Sequence, residues 1–256
     1  MEVMDASRTI RLLFESFPTP PARDTAISRA ILTRVSDGVE PETLRLHRPG
    51  RLVAFGPLDR LEPGYVDAIA AAADRGFGAV ERLAGGRAAV FHEGTLAFAW
   101  ITPEQSPATG IARRFGEVTR LITAALLGLG VDARVGEVPG EYCPGEYSVN
   151  ARGRTKLVGI GQRLVARAAH VGGVIVVEGA GRLREVLVPV YLALNLDWDP
   201  GTVGSVEDET GPVSWEGVRD AIVDAFSDRY TVIAGAMDPA TLALAERLEP
   251  LHVPAS

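Results

Sequence analysis

GEYCPGEYSVNARGRTKLVGIGQRLVARAAHVGGVIVVEG, residues 140–179, holds the single cysteine, Cys143, and the single lysine, Lys156, of a 256-residue chain whose other fixed cations are all arginines. Lysine and arginine serve alike as solvated charges, but only lysine offers a compact ammonium with three rotatable donors. One lysine kept close to the one thiol suggests that both side chains face a common pocket. The plain alternative is a buried cysteine acting as a small hydrophobe, beside a lysine placed by chance. Around them, EYSVNA and TKLVGIGQR read as two strands joined by a tight turn at ARG, because β-branched and aromatic residues flank a glycine able to take positive φ. Cys143 then lies in the loop entering the first strand and Lys156 near the start of the second, across the mouth of the hairpin. Val165 to Glu178 reads as a further strand, with Gly172 and Gly173 marking a bulge or a close backbone approach. Gly145, Gly159 and Gly161 strip side chains from the same neighbourhood, where a ligand could lie against bare backbone.

With these residues the chain resembles the lipoate and biotin protein ligase superfamily, and within it the cysteine-dependent octanoyl and lipoyl transferases. Their signature runs from a Cys-Pro-Gly loop through a short hairpin to a Gly, Lys, small-residue, Gln-Arg strand. Cys143, Pro144, Gly145, Gly153, Lys156, Gly159, Gln162 and Arg163 match it. A second motif of that family, an Arg followed by paired glycines and an apolar strand, is matched by RLAGGRAAVFHEGTL, with Arg82, Gly85, Gly86 and His92. The resemblance extends from about Asp24 through VYLALNLDWDPGTVGSV. Two departures stand out: Glu146 and Ser148 occupy the region where relatives often carry an Asp, and Leu83, Ala84 and Arg87 surround the paired glycines where relatives usually show a polar residue and Ser.

The resemblance implies an α/β fold with a central mixed, largely antiparallel sheet flanked by helices. It implies acyl transfer through Cys143 as nucleophile, with Lys156 holding the acyl carbonyl. Arg82, Gly85, Gly86, His92, Gly145, Gly159 and Gln162 are the expected substrate-binding residues. Octanoyl or lipoyl chains would come from an acyl carrier protein or a lipoyl-domain donor. They would pass to a lysine of a lipoyl-domain acceptor, a glycine-cleavage H protein or a 2-oxoacid dehydrogenase E2 subunit. No cofactor is required for such transfer. An ATP-dependent lipoate ligase using ATP and Mg, and a non-catalytic lipoyl-domain binder, are the competing readings.

Composition restricts the other classes. With 46% apolar residues the chain can bury a full core. A net charge of −7 and a pI of 5.2 argue against nonspecific nucleic-acid binding, which needs a basic footprint. The sequence carries no uncharged apolar run of membrane-spanning length and no signal-peptide layout, so no membrane association and a cytoplasmic location are expected. One cysteine and four scattered histidines offer no metal site.

Along the rest of the chain, residues 1–20 read as an amino-terminal extension, with TIRLLFESF an edge strand or short helix. Residues 21–200 form the catalytic domain and 201–256 a helical appendage. A helix is expected from Ala22 to Val35, and TLRLHRPGRLVAFG reads as two strands across a Pro-Gly turn, with Arg45 and His47 on a solvated face. LEPGYVDAIAAAADRG forms a helix with a Val66, Ile69, Ala70, Ala73 stripe. The clearest amphipathic helix follows at 111–129, with Arg113, Arg114, Glu117 and Arg120 on its polar side. His92 either closes the pocket or caps a strand. A helix bent at Pro189, a polar loop at GTVGSVEDETGP, a helix through Trp215 and Phe226, and a last helix capped by Asp238 complete the reading.

Overall fold

A computed structural model describes residues 8–255. Its main sheet has eight strands in the order β11-β1-β2-β6-β10-β9-β8-β7. In chain order these are β1 (Thr9–Leu13), β2 (Thr43–His47), β6 (Thr95–Pro103), β7 (Ala133–Val135), β8 (Val149–Ala151), β9 (Thr155–Val165), β10 (Ala168–Val176) and β11 (Thr231–Ala234). The two pairings of β1 are parallel and the other five are antiparallel, which is the mixed, largely antiparallel sheet expected. A second sheet of β3 (Leu52–Phe55), β4 (Gly78–Glu81) and β5 (Ala89–Phe91) runs in the order β4-β3-β5.

Helices cover both faces. α3 (Ile111–Gly128) and α6 (Trp215–Ser227) bury Val118, Ile122, Val218 and Phe226 against Trp100, Val158 and Val171 on one face. On the other, α1 (Arg23–Ser36) and α7 (Pro239–Leu248) pack on Ala99 and Ile101. The small sheet joins α2 (Tyr65–Ala73) and α4 (Ala180–Ala193) in a third cluster that includes Tyr142, beside the cysteine. A short α5 (Val206–Thr210) precedes α6.

Several expectations need correcting, each for a packing reason. TIRLL is neither an edge strand nor an extension. It lies between β11 and β2, so both termini contribute strands to the main sheet. The strands flanking RPG part company, β2 into the large sheet and β3 into the small one. The face of β2 carrying Arg45 and His47 is covered by α1, and Arg45 is wholly buried in an ion pair with Asp24. On α2 the buried residues are Ala68 and Ala72, whereas Val66 is 69% exposed, because the alanines let α4 approach closely. Arg114 is buried rather than solvated, bonding Glu104 at 3.2 Å and Gln162 at 3.1 Å. The expected polar loop after Pro200 holds α5, whose Ser205–Asp208 capping box and buried Val203 and Val206 anchor it. α4 continues through Pro189; the Glu185 carbonyl that this proline cannot serve accepts from Arg75 Nε at 2.7 Å instead.

Candidate active site

Arg152 (φ 54°) and Gly153 (φ 69°) are consecutive positive-φ positions in the three-residue turn, 152–154, between β8 and β9. Just after it the ladder slips. Val149 pairs with Val158 but Asn150 pairs with Lys156, which leaves Leu157 as an extra residue. Leu157 and Val158 consequently both enter the core under α3. Lys156 is turned to the opposite face, where its Cε lies 3.5 Å from the position a Cβ on Gly159 would take. Re-aiming one side chain beside a site is a common use of a bulge.

That side chain is 1% exposed and all three of its donors are engaged: Glu141 Oε1 at 2.8 Å, the Tyr142 carbonyl at 3.1 Å and the Cys143 carbonyl at 2.7 Å. Glu141 also accepts from the Ser148 hydroxyl at 2.6 Å and from Val138 N–H at 2.9 Å. The lone lysine is therefore buried against the cysteine loop and lines no cavity among the described residues. Its partner is the cysteine loop itself rather than an open position for an acyl carbonyl. Glu141 supplies the carboxylate for which sequence comparison pointed to the positions of Glu146 and Ser148.

Cys143 sits at φ 44°, in the left-handed region that non-glycine residues rarely occupy. Two bonds hold it there. Its carbonyl takes the lysine, and its N–H donates to the Tyr191 hydroxyl at 2.8 Å, which donates on to Ala88 O at 3.0 Å. Burial, together with the neighbouring Cys143, keeps the Tyr191 phenol well above its ordinary value, so it remains a donor. Tyr191→Phe would orphan both backbone groups. It is expected to cost about 1–3 kcal/mol and to change the alkylation rate of Cys143 by iodoacetamide; an unchanged rate would reduce Tyr191 to a core residue.

The sulfur itself is half-buried and receives the Arg87 backbone N–H at 3.2 Å and Arg82 Nη1 at 3.6 Å. Gly86 makes this possible. It takes φ 113°, and a Cβ there would lie 2.9 Å from Sγ and 2.8 Å from Arg82 Nη1. Arg82 is held in turn by the Arg87 carbonyl at 2.8 Å, and Arg87 by Glu62 at 2.8 Å and the buried Asp59 at 3.3 Å. Two N–H donors converging on one sulfur, one of them cationic, suit a thiolate nucleophile.

Behind this loop, one face of the main sheet is nearly bare. The row Gly161–Gly172–Ala99 ends on Arg45, and the row Gly159–Val174–Ala97 ends on His47. A cavity of 90 Å³ lies over this face, roofed by Leu52, Ala54, Leu83, Ala84 and Phe91. One water needs only about 10–15 Å³. The cavity is floored by β10, β6 and β2, and two strand spacings of about 4.8 Å make this lane roughly 10 Å long. Arg82 lines the cavity and also donates to the sulfur, so this one side chain links the cavity to the thiol, which does not itself line it. Asp24, His47 and His170 also line it. Burial, followed by the Arg45 charge, pushes His47 down to about 3, and burial pushes His170 down to about 4, so both imidazoles are neutral at pH 7.

The remaining expected residues divide. Gly159 and Gly161 belong to the bare face, and Gly85 places its carbonyl 3.2 Å from where a Cβ on Gly161 would sit. Gly145 serves a turn, accepting from Ser148 N–H at 2.9 Å. Gln162 points to the opposite face and secures the start of α3 through the Ile111 carbonyl at 2.8 Å. His92 takes its second reading: its Nδ1 accepts from Gly94 N–H at 2.9 Å in the turn before β6, away from the cavity. Among the described residues there is no cluster suited to a metal ion and no helix long and apolar enough to cross a membrane.

Residues 20–227 match the family model described as the lipoyl protein ligase A/B catalytic domain. The octanoyl-GcvH:protein N-octanoyltransferase of Geobacillus kaustophilus is 31% identical over 170 residues, 66% of this chain and 60% of that protein. Octanoyltransferase LipM of Moorella thermoacetica is 30% identical, over 68% of this chain and 65% of that one. The chain thus spans less than two thirds of the length of these relatives. A solved bipartite lipoate protein ligase of Thermoplasma acidophilum superposes with a TM-score of 0.73, covering 95% of this chain and 92% of that one, at 21% identity. That likeness shows the shared fold.

Proposed function

This chain belongs to the lipoyl protein ligase A/B catalytic-domain family, and from that premise we propose that it is an acyltransferase moving an octanoyl or lipoyl group through an acyl-cysteine intermediate. The observation that carries this reading is the half-buried sulfur of Cys143, met by two N–H donors, one of them on Arg82, which also lines the apolar cavity. The Cys143 thiolate attacks the donor's thioester carbonyl, a new C–S bond forms, and the donor thiolate leaves and takes up a proton. The ε-amine of an acceptor lysine then attacks the same carbon, an amide forms, the Cys143–acyl bond breaks, and the ammonium proton is lost to solvent. Thiols suit both steps because they ionise near neutrality and give esters still reactive to amines.

The glycine and alanine rows would receive the chain, each buried methylene contributing about 0.8 kcal/mol. GcvH, which appears in the name of the Geobacillus relative, is the acceptor protein we favour, and transfer consumes no ATP. The ligase reading needs Lys156 as a free donor to an adenylate, whereas here its donors are spent on Glu141 and two carbonyls. Intact-mass measurement after incubation with an octanoyl thioester, without ATP, tests the proposal: one hydroxylamine-labile octanoyl adduct is expected. Adduct formation only with octanoate and ATP would return the ligase reading.

Arg82 provides a second check. Arg82→Ala removes one donor from the sulfur and is expected to slow adduct formation by roughly 10²-fold. Losing the bond to the Arg87 carbonyl should lower the melting temperature by only about 2–4 °C. A variant as active as the wild type would leave the paired glycines as a simple turn.

A further inference from the structure

A second cavity, of 220 Å³, shares Arg82 and Leu83 with the acyl cavity. Its chemistry is different. Arg29, Arg60, Arg82 and Arg163 line it, with Glu81 and His252. Arg60 neutralises Glu81 at 2.6 Å, and Arg82 is tied to the Arg87 carbonyl and the sulfur. Arg29 and Arg163 have no partner among the described residues, so two cations face the cavity uncompensated. His252 is 3% exposed; its Nδ1 bonds the Glu81 carbonyl at 2.7 Å and its Nε2 is buried with no partner at all.

A buried imidazole nitrogen without a partner is costly unless something satisfies it, and beside it the unpaired guanidiniums of the half-buried Arg29 and the exposed Arg163 are available to an incoming anion. Burial, and after it the charges of Arg29 and Arg163, holds His252 below its ordinary value despite the Glu81 carbonyl. An anion between these groups would reverse the repulsion and let Nε2 carry a proton toward it. Two guanidiniums and an imidazolium call for more oxygens than a carboxylate offers, and phosphoryl groups match guanidinium forks. His252 also lies beyond residues 20–227, so this wall of the cavity is not part of the matched family domain.

We propose that this cavity is a phosphoryl-anion site. On the transferase reading, which this step rests on, the phosphate belongs to the acyl donor and docks it so that its thioester reaches Cys143 past Arg82. The competing source is a nucleotide phosphate. Calorimetric titrations of the full chain with inorganic phosphate, 4′-phosphopantetheine, AMP and unphosphorylated pantetheine separate these cases. Phosphate should bind, one of the two phosphorylated ligands should bind more tightly and so identify the source, and pantetheine should not bind. Arg29→Gln and Arg163→Gln, neither of which removes an ion pair, should each weaken binding about tenfold with the melting temperature held. Absence of binding by all three phosphates, or binding unchanged in the double variant, overturns the site. Acylation rates of Cys143 by octanoyl-pantetheine and its 4′-phosphate complete the test. A faster reaction of the phosphate ester supports the docking role and equal rates overturn it. Acylation by neither ester, with phosphate still bound, would defeat the transferase reading and leave the site standing.

Discussion

Cys143→Ala is expected to abolish the octanoyl adduct and lower transfer by at least about 10³-fold, because no other thiol exists in the chain to take over the covalent step. The substitution is also a clean one. Alanine keeps the Cβ, so the backbone at φ 44° is no more strained than before, and the bonds to Tyr191 and Lys156 run through the main chain. What is lost is one acceptor for the Arg87 N–H, which costs about 1–3 kcal/mol if that group stays unpaired. Cys143→Ser sharpens the result: a hydroxyl is far less ionised at neutral pH, so any slow adduct should resist hydroxylamine better than a thioester does. Mass spectrometry of each variant after incubation with an octanoyl thioester reads both outcomes. Transfer by the alanine variant at the wild-type rate would remove Cys143 from the chemistry.

The site was legible where its residues lie close in sequence. Cys143, the turn at Gly153 and Lys156 fall close together around one hairpin, and the excess of arginine over lysine singles out Lys156 in the sequence alone. The glycines themselves stand out in the sequence, and the strand pairing sets Gly161 opposite Gly172 and Gly159 opposite Val174. What could not be read came from distant elements. Tyr191 reaches Cys143 from α4, and Asp24 on α1 pairs with Arg45 on β2; neither contact leaves a local pattern. Alternation misplaced His47 because a polar residue on a strand looks solvated until a helix covers that face. Gln162, expected from the resemblance as a substrate-binding residue, turns to the α3 side instead: the bulge at Leu157 puts Lys156 and Gly159, an odd number apart, on one face and leaves Gln162 on the other. Glu141 had a weaker signal, standing two residues before the cysteine, but only the fold showed its carboxylate turned onto Lys156.

Lys156→Met is expected to be the most destabilising of the site variants. Removing the ammonium leaves Glu141 buried beside two carbonyls, and breaking such a pair from one side costs about 3–5 kcal/mol. For a chain of this size that is a fall in melting temperature of roughly 6–20 °C. Lys156→Arg keeps the charge, yet a planar guanidinium cannot converge on Glu141 and two successive carbonyls as a rotating ammonium does; transfer should fall by roughly 10²-fold. Loss of activity in either variant has two origins, a weakened fold and a displaced cysteine loop, and a third variant separates them. Glu141→Gln combined with Lys156→Met removes both charges, and exchanging a whole buried pair is often nearly neutral for stability. The double variant is therefore expected to regain most of the lost melting temperature while transfer stays depressed, since the Cys143 carbonyl still lacks its donor and nothing replaces it in holding φ at 44°. If instead stability and transfer return together, Lys156 serves only to neutralise Glu141, and positioning of the thiol rests on Tyr191, Arg82 and the Arg87 N–H alone.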